Sequence, residues 1–386
     1  YTNHQALQYP LDWLRAKPGR KWRQREASFS AWIADMDFPP APVITEALQE
    51  RITSGDLGYP NWGGTAGPSP AVGAFVEWVQ RRHQWKIEAA DVREWSDVLQ
   101  AVQTILHVCT TPGDRVVVHT PAYPPFFDAL KATGTQLMAV NAVRDGTSWR
   151  WDHDDLDARL AATPAKVLLL CNPHNPTGHC FSERELRELL DIAERRNLLI
   201  VADEIHMDLV HAPHRHVPLG TLGSERVVTL TSASKSFNLA GLHYAVSHVG
   251  SPAVAAALKS LPERVVGEPG MLGVIAAHAA WTQGEAWLDA VRDHLVEMRA
   301  NVAHLVGSNL PGVTMTPPDA TYLAWLDCRA TSIADDPSRA FARVGVAVNS
   351  GDDFGPGGEG HVRLNFATSP EVLERTIHAM AGAVAT

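Results

Sequence analysis

A chain of 386 residues with 45% apolar and 20% charged side chains has the balance of a folded globular protein, not of a disordered or fibrous one. Its formal charge of −10, with no basic block, argues against nucleic acid and anionic membranes as partners. No apolar run approaches the roughly 20 residues of a membrane helix, and Tyr1-Thr2-Asn3-His4-Gln5 lacks the basic-then-apolar pattern of a secretory signal. Cys109, Cys171, Cys180 and Cys328 are widely spaced, so a reducing cytoplasm is the expected compartment.

In chain order, the first clear element is a helix opening at Val98-Leu99, with Asp97 as its N-cap, and running to about Thr110. Short apolar runs follow at Arg115–His119, Gln136–Val140, Lys166–Cys171, Leu198–Asp203, Arg226–Ser232 and Ala245–Gly250. Amphipathic stretches separate several of them. In Ser182–Arg196, Ser182 and Glu185 form a capping box and the leucines share one face. Strands alternating with helices predict an α/β domain, and continuous apolar strands predict a mostly parallel sheet covered on both faces. Beyond about residue 270 an Ala-rich helical stretch (Met271–Leu305) precedes strand-like Thr321–Leu326, Val346–Val348 and Val362–Phe366. The expected division is a large domain over 45–270 and a smaller α+β domain built from 1–44 and 271–386.

Ligands of open parallel sheets bind beyond the carboxyl ends of the strands. Three polar clusters occupy such places: Asn172-Pro173-His174-Asn175-Pro176-Thr177-Gly178, Asp203-Glu204-Ile205-His206, and Ser232-Ala233-Ser234-Lys235-Ser236-Phe237-Asn238. A lysine amine can form an imine with an aldehyde cofactor and exchange it for a substrate amine. A buried carboxylate can keep a pyridine nitrogen protonated, a role open to Asp203. An Asn side chain can donate to a phenolate oxygen, as Asn172 could, and Ser232 and Ser234 can donate to a phosphate. The amides opening the Val98 helix suit a phosphate as well.

These clusters, in this order and spacing, resemble the fold-type I pyridoxal-phosphate enzymes of aminotransferase class I/II, over nearly the whole chain. With Ala34-Asp35-Met36-Asp37-Phe38-Pro39 and Asp203-Glu204-Ile205-His206-Met207-Asp208-Leu209, they look like the MalY/PatB branch of carbon–sulfur β-lyases. The resemblance implies a seven-stranded, mostly parallel sheet in the large domain, pyridoxal 5′-phosphate as cofactor and a homodimer. It implies Lys235 as the imine-forming residue and Cα base, Asp203 at the ring nitrogen, and Asn172 at the phenolate oxygen and the substrate. Tyr123 would cover one ring face and assist catalysis, and Ile205 the other, with His206 beside them. Ser232, Ser234, Val98 and Leu99 would hold the phosphate, with Tyr59 reaching the partner subunit's cofactor. Arg363 would clamp the substrate carboxylate, and Ala34 would line the substrate site. The chain departs from the broader family with His206 where Tyr is usual, His243 where many members have Arg, and Asp97 in the phosphate turn.

The expected activity is α,β-elimination from cystathionine or a related cysteine S-conjugate, giving thiol, pyruvate and ammonia. A transaminase shares the same cofactor motifs, and a regulatory protein that binds a transcription factor could keep the fold. His211, His214 and His216 invite a metal, yet without a carboxylate or Cys in tight register they read as a solvated loop. No metal is expected.

Overall fold

The six apolar runs and one further strand pair into one sheet: β1 (Val92–Trp95), β2 (Arg115–Thr120), β3 (Gln136–Asn141), β4 (Val167–Cys171), β5 (Leu199–Asp203), β6 (Val227–Thr231) and β7 (Ala245–Val249). They belong to a computed structural model that describes residues 7–63, 67–146, 148–262 and 266–384. The order is β1-β7-β6-β5-β4-β2-β3; β3 through β6 run parallel, and β7 is antiparallel to both its neighbours. Alternate residues of β4 explain its unbroken apolar sequence. Val167, Leu169 and Cys171 pack with Val98, Val102 and Ile105 of α1 (Val98–Cys109), whereas Leu168 and Leu170 pack with Leu186, Leu189 and Ile192 of α2 (Glu183–Arg196). Both faces are therefore covered.

The chain moves in opposite directions across the sheet from β2 to β3 and from β4 through β6. The carboxyl ends of β2 and β4 thus flank a topological switch point, where such sheets open a crevice. Register brings Cys171 beside Asp203 and Asp203 beside Leu230, so the segments leaving β4, β5 and β6 start at one level.

The expected Ala-rich stretch is two helices, α3 (Met271–Gln283) and α4 (Glu285–Asn309), broken at Gly284. A Cβ at Gly284 would collide with the Phe237 ring and the Ala280 carbonyl, so close packing requires the glycine there. A second sheet is antiparallel: β8 (Thr314–Met315), β9 (Leu323–Asp327), β10 (Asn349–Ser350) and β11 (His361–Asn365), in the order β8-β9-β11-β10. Phe29–Ser30 pairs with Val346–Ala347, tying the N-terminal segment to this sheet's surroundings. The expected strand Val346–Val348 is divided, with Val348 separating Val346–Ala347 from β10.

The histidine loop is not solvated. His211 is buried and its Nε2 lies 2.7 Å from the Thr321 carbonyl; His216 is buried with Nε2 2.9 Å from Glu204 Oε2. Only His214, 3.1 Å from Asp319, lies toward the surface. Residues 1–6, including the opening read for a secretory signal, lie outside the described residues. Among the described residues no helix is long and apolar enough to cross a membrane.

Candidate active site

Each strand end contributes one polar side chain, and each is fixed by its own local hydrogen bond. Asn172, just past β4, accepts from the Phe181 amide at 3.1 Å through Oδ1, which turns its amide nitrogen inward. That Nδ2 is buried and has no partner, a donor group built to meet an acceptor the chain itself lacks. Asp203 ends β5 fully enclosed, with Oδ1 accepting from the Ile205 amide at 3.1 Å. Burial pushes its carboxyl up to about 7, against the pull of the Ile205 amide and the Lys235 charge.

Past β6, Ser232 caps the short helix Ala233–Ser236 by accepting from the Ser234 amide at 3.0 Å. Its hydroxyl donates to the Tyr244 carbonyl at 2.6 Å. A hydroxyl has one proton, so the phosphate-donor role read for Ser232 conflicts with this geometry; the residue presents Lys235 by capping its helix. Ser234 is half-buried and makes no side-chain hydrogen bond among the described residues.

Lys235 projects from that helix to the N-terminal segment, where its Nζ donates to the Ala34 carbonyl at 3.0 Å. Burial lowers its pKa, opposed by the nearby Asp35 and Asp203 charges and reinforced by Arg363. The segment around Ala34 is held from several elements. Asn238, in the left-handed conformation (φ 60°), accepts from Met36 N at 2.9 Å and donates to the Met36 and Phe38 carbonyls at 3.0 and 2.8 Å. Asn365 donates to the Ile33 and Asp35 carbonyls, both at 2.7 Å. Tyr322 donates to the Ala34 carbonyl at 2.8 Å. A buried Lys21–Asp37 pair at 3.0 Å closes the far end. The Ala34 carbonyl, read as substrate-lining, is thus occupied by Lys235 and Tyr322.

Arg363 lies buried on β11. Its Nη1 donates to Asn175 Oδ1 at 3.0 Å, and Nη2 to the Trp32 carbonyl at 2.9 Å and Asn349 Oδ1 at 2.8 Å. No carboxylate among the described residues pairs with it, and its buried Nε has no partner. Burial lowers its pKa to about 10, which still leaves it charged at neutral pH. An enclosed guanidinium with an idle donor asks for an anion.

Tyr123 N-caps the helix Pro124–Thr133 and, with Ile205 and Leu99, borders the apolar cluster on this side of the sheet. Burial raises its pKa, with Arg363, Asp203 and Asp97 near enough to act on it. His206 is buried, its Nδ1 lacks a partner, and burial lowers its pKa to about 3, so the ring is neutral. Val98 and Leu99 open α1, where helical amides have no acceptor four residues back. Asp97 caps them by accepting from Gln100 N at 2.8 Å, and its other oxygen lies 3.6 Å from His243 Nδ1. Tyr59 is 104% exposed and contributes nothing to its own chain's site.

Tyr322, Asn365 and the Lys21–Asp37 pair escaped the reading of the sequence. Only the conspicuous Tyr322-Leu323-Ala324-Trp325 strand start could have flagged the first. The residues that do converge fit an anionic pyridine aldehyde: an amine, a carboxyl at a strand end, an idle buried Nδ2 and unbonded helix amides. Among the described residues, no group of three or more His, Cys, Asp or Glu could hold a metal ion.

Residues 33–380 match the family described as aminotransferase class I and II. A cystathionine beta-lyase of Corynebacterium glutamicum is 33% identical, covering 97% of this chain and 99% of its own length. The cystathionine beta-lyase PatB of Bacillus subtilis is 32% identical, covering 89% of each chain. Among solved structures, the PLP-bound C-S lyase of Staphylococcus hominis superposes with a TM-score of 0.90 at 26% identity, over 97% of this chain and 99% of that one.

Proposed function

The chain belongs to the aminotransferase class I and II family, and on that premise we propose that it is a pyridoxal-phosphate-dependent carbon–sulfur β-lyase acting on cystathionine or a related cysteine S-conjugate. The observation that carries the reading is the meeting of Lys235, Asp203 and the idle Asn172 Nδ2 at neighbouring strand ends, beside an enclosed Arg363 with no carboxylate. The bound cofactor supplies an aldehyde that takes up an amine and a ring that accepts the electron pair released at Cα.

The chain's own residues do the rest. Lys235 would hold the aldehyde, and its free amine would be the base for the Cα proton of a bound amino acid. Burial lowers its pKa, which favours the free amine a base needs. Asp203 would pair with the ring nitrogen and keep it protonated, and Asn172 would offer Nδ2 to the phenolate oxygen. Arg363 receives the α-carboxylate through its idle Nε. Tyr123 and Ile205 would enclose the ring, with neutral His206 beside them. The Val98 and Leu99 amides, with Ser234, would hold the phosphate. Lys235 or Tyr123 returns a proton to the departing sulfur. Water completes the reaction, so cystathionine yields homocysteine, pyruvate and ammonia.

Completion of each site by Tyr59 of a second copy is the natural use of so exposed a ring. Four free cysteines agree with a reducing cytoplasm. Borohydride reduction followed by peptide mapping tests the site: cofactor fixed on Lys235 is expected, and cofactor fixed on another lysine rejects it. Equimolar thiol and pyruvate from cystathionine test the reaction; thiol without pyruvate rejects it.

A further inference from the structure

The Ala34 carbonyl accepts two buried donors at once, Lys235 Nζ at 3.0 Å and Tyr322 Oη at 2.8 Å. It cannot drift, because Asn365 and Asn238 hold the peptides on either side of it through five hydrogen bonds of 2.7–3.0 Å. Tyr322 itself is anchored: it is fully buried, immediately precedes β9 and makes an edge-to-face contact with His206, ring centroids 6.4 Å apart. We propose that Tyr322 is a positioning residue for Lys235: its hydroxyl fixes the carbonyl on which the free lysine amine rests and weakens that carbonyl's hold on the protonated amine.

The chemistry follows from the sharing. An oxygen that already accepts from a phenol is a poorer acceptor for an ammonium, whereas a neutral amine depends on it less. The hydroxyl therefore tilts Lys235 toward the free base while keeping its nitrogen aimed along one direction. The other charged and titratable groups around Lys235 are Asp35 from the N-terminal segment, Asp203 and His206 from the β5 end, and Arg363 from β11. Tyr123 and Tyr322 lie close enough to Arg363 to act on its charge. Of these, only Tyr322 shares a hydrogen-bond acceptor with the lysine.

This inference rests on Lys235 being the imine-forming residue. The test uses the full-length chain freed of cofactor and mixed with pyridoxal phosphate. Imine formation, in which the lysine nitrogen bonds to the aldehyde carbon and water leaves, is followed by its visible absorbance against pH. Only unprotonated amine reacts, so the acidic limb of the profile reports the lysine. Tyr322→Phe is expected to move that limb up by about half a pH unit, a loss of about threefold in rate on the limb. Incorporating 3-fluorotyrosine at position 322 keeps the hydroxyl, strengthens the donor and is expected to move the limb down. Limbs that stay put, or move in the same direction in both proteins, overturn the inference. Imine absorbance in a Lys235→Ala chain would instead overturn the reading on which it rests.

Discussion

Burial acts on three charged groups of the site: it favours the free amine of Lys235 and spares the charge of Arg363, whereas Asp203 becomes the carboxylate a pyridinium needs only when that cation pairs with it. Without that cation, Asp203 is pushed toward its protonated form. Arg363→Lys keeps the charge but removes the planar fork, so KM for the amino acid is expected to rise about thirtyfold, about 2 kcal/mol, in steady-state assays. Asp203 gives a pH prediction for the cofactor-free chain. Its folded pKa of about 7 exceeds the ordinary 3.8, so stability is full below about pH 4 and falls as pH rises through 7. Asp203→Asn is expected to abolish that fall, worth up to about 4 kcal/mol at pH 8 in urea unfolding. Lys235, Asp203 and Asn172 were legible because each sits at or just beyond the carboxyl end of an apolar strand. Tyr322 was not: it meets Ala34 across 288 positions of chain, a contact that no local pattern announces.

Loop 172–181 joins the site to the rest of the fold. Gly178 has φ +72°, and a side chain there would collide with Pro318, so the loop can lie flat against the segment leading into β9. His179 fastens it, lying 3.1 Å from Glu185 on α2 and 3.5 Å from Asp319. Those two acids raise its pKa to about 9 although burial opposes them. A raised histidine stabilises the fold fully below pH 6.5 and loses that contribution as pH rises through 9. His179→Gln is therefore expected to cost about 2 kcal/mol at pH 6 and almost nothing at pH 10, read by denaturant titration. At this scale the sequence showed the six inner and flanking strands and the Ser182 capping box, because period and caps are local signals. Edge strand β1 and the reversed direction of β7 were not visible, since pairing direction is decided by the neighbours. The bond from Ser232 to the Tyr244 carbonyl was not visible for the same reason: that carbonyl lies 12 residues on, just before β7.

Across the whole molecule, one chain leaves a short apolar strip bare. Tyr59 is wholly exposed, with Leu57 at 56% and Ile52 at 54% exposure nearby in sequence. A second copy placing Tyr59 at this site would bury that strip. Co-expression tests it: Lys235→Ala and Tyr59→Ala chains, each weak alone, are expected to regain activity together, because one site of the mixed dimer is intact. No gain on mixing would rule out a shared site. The alternation of strands and helices announced the α/β layering, and the change of texture near residue 270 announced further strands, but not their antiparallel pairing. The folding of the N-terminal strap over Lys235 was not legible, since its anchors are scattered from Lys21 to Asn365. The account as a whole turns on the fate of the electron pair that Lys235 uncovers at Cα. Pyruvate release from cystathionine with no added 2-oxo acid measures it: steady release by the native chain, lost in Lys235→Ala, is predicted, and strict dependence on an oxo-acid acceptor would contradict the account.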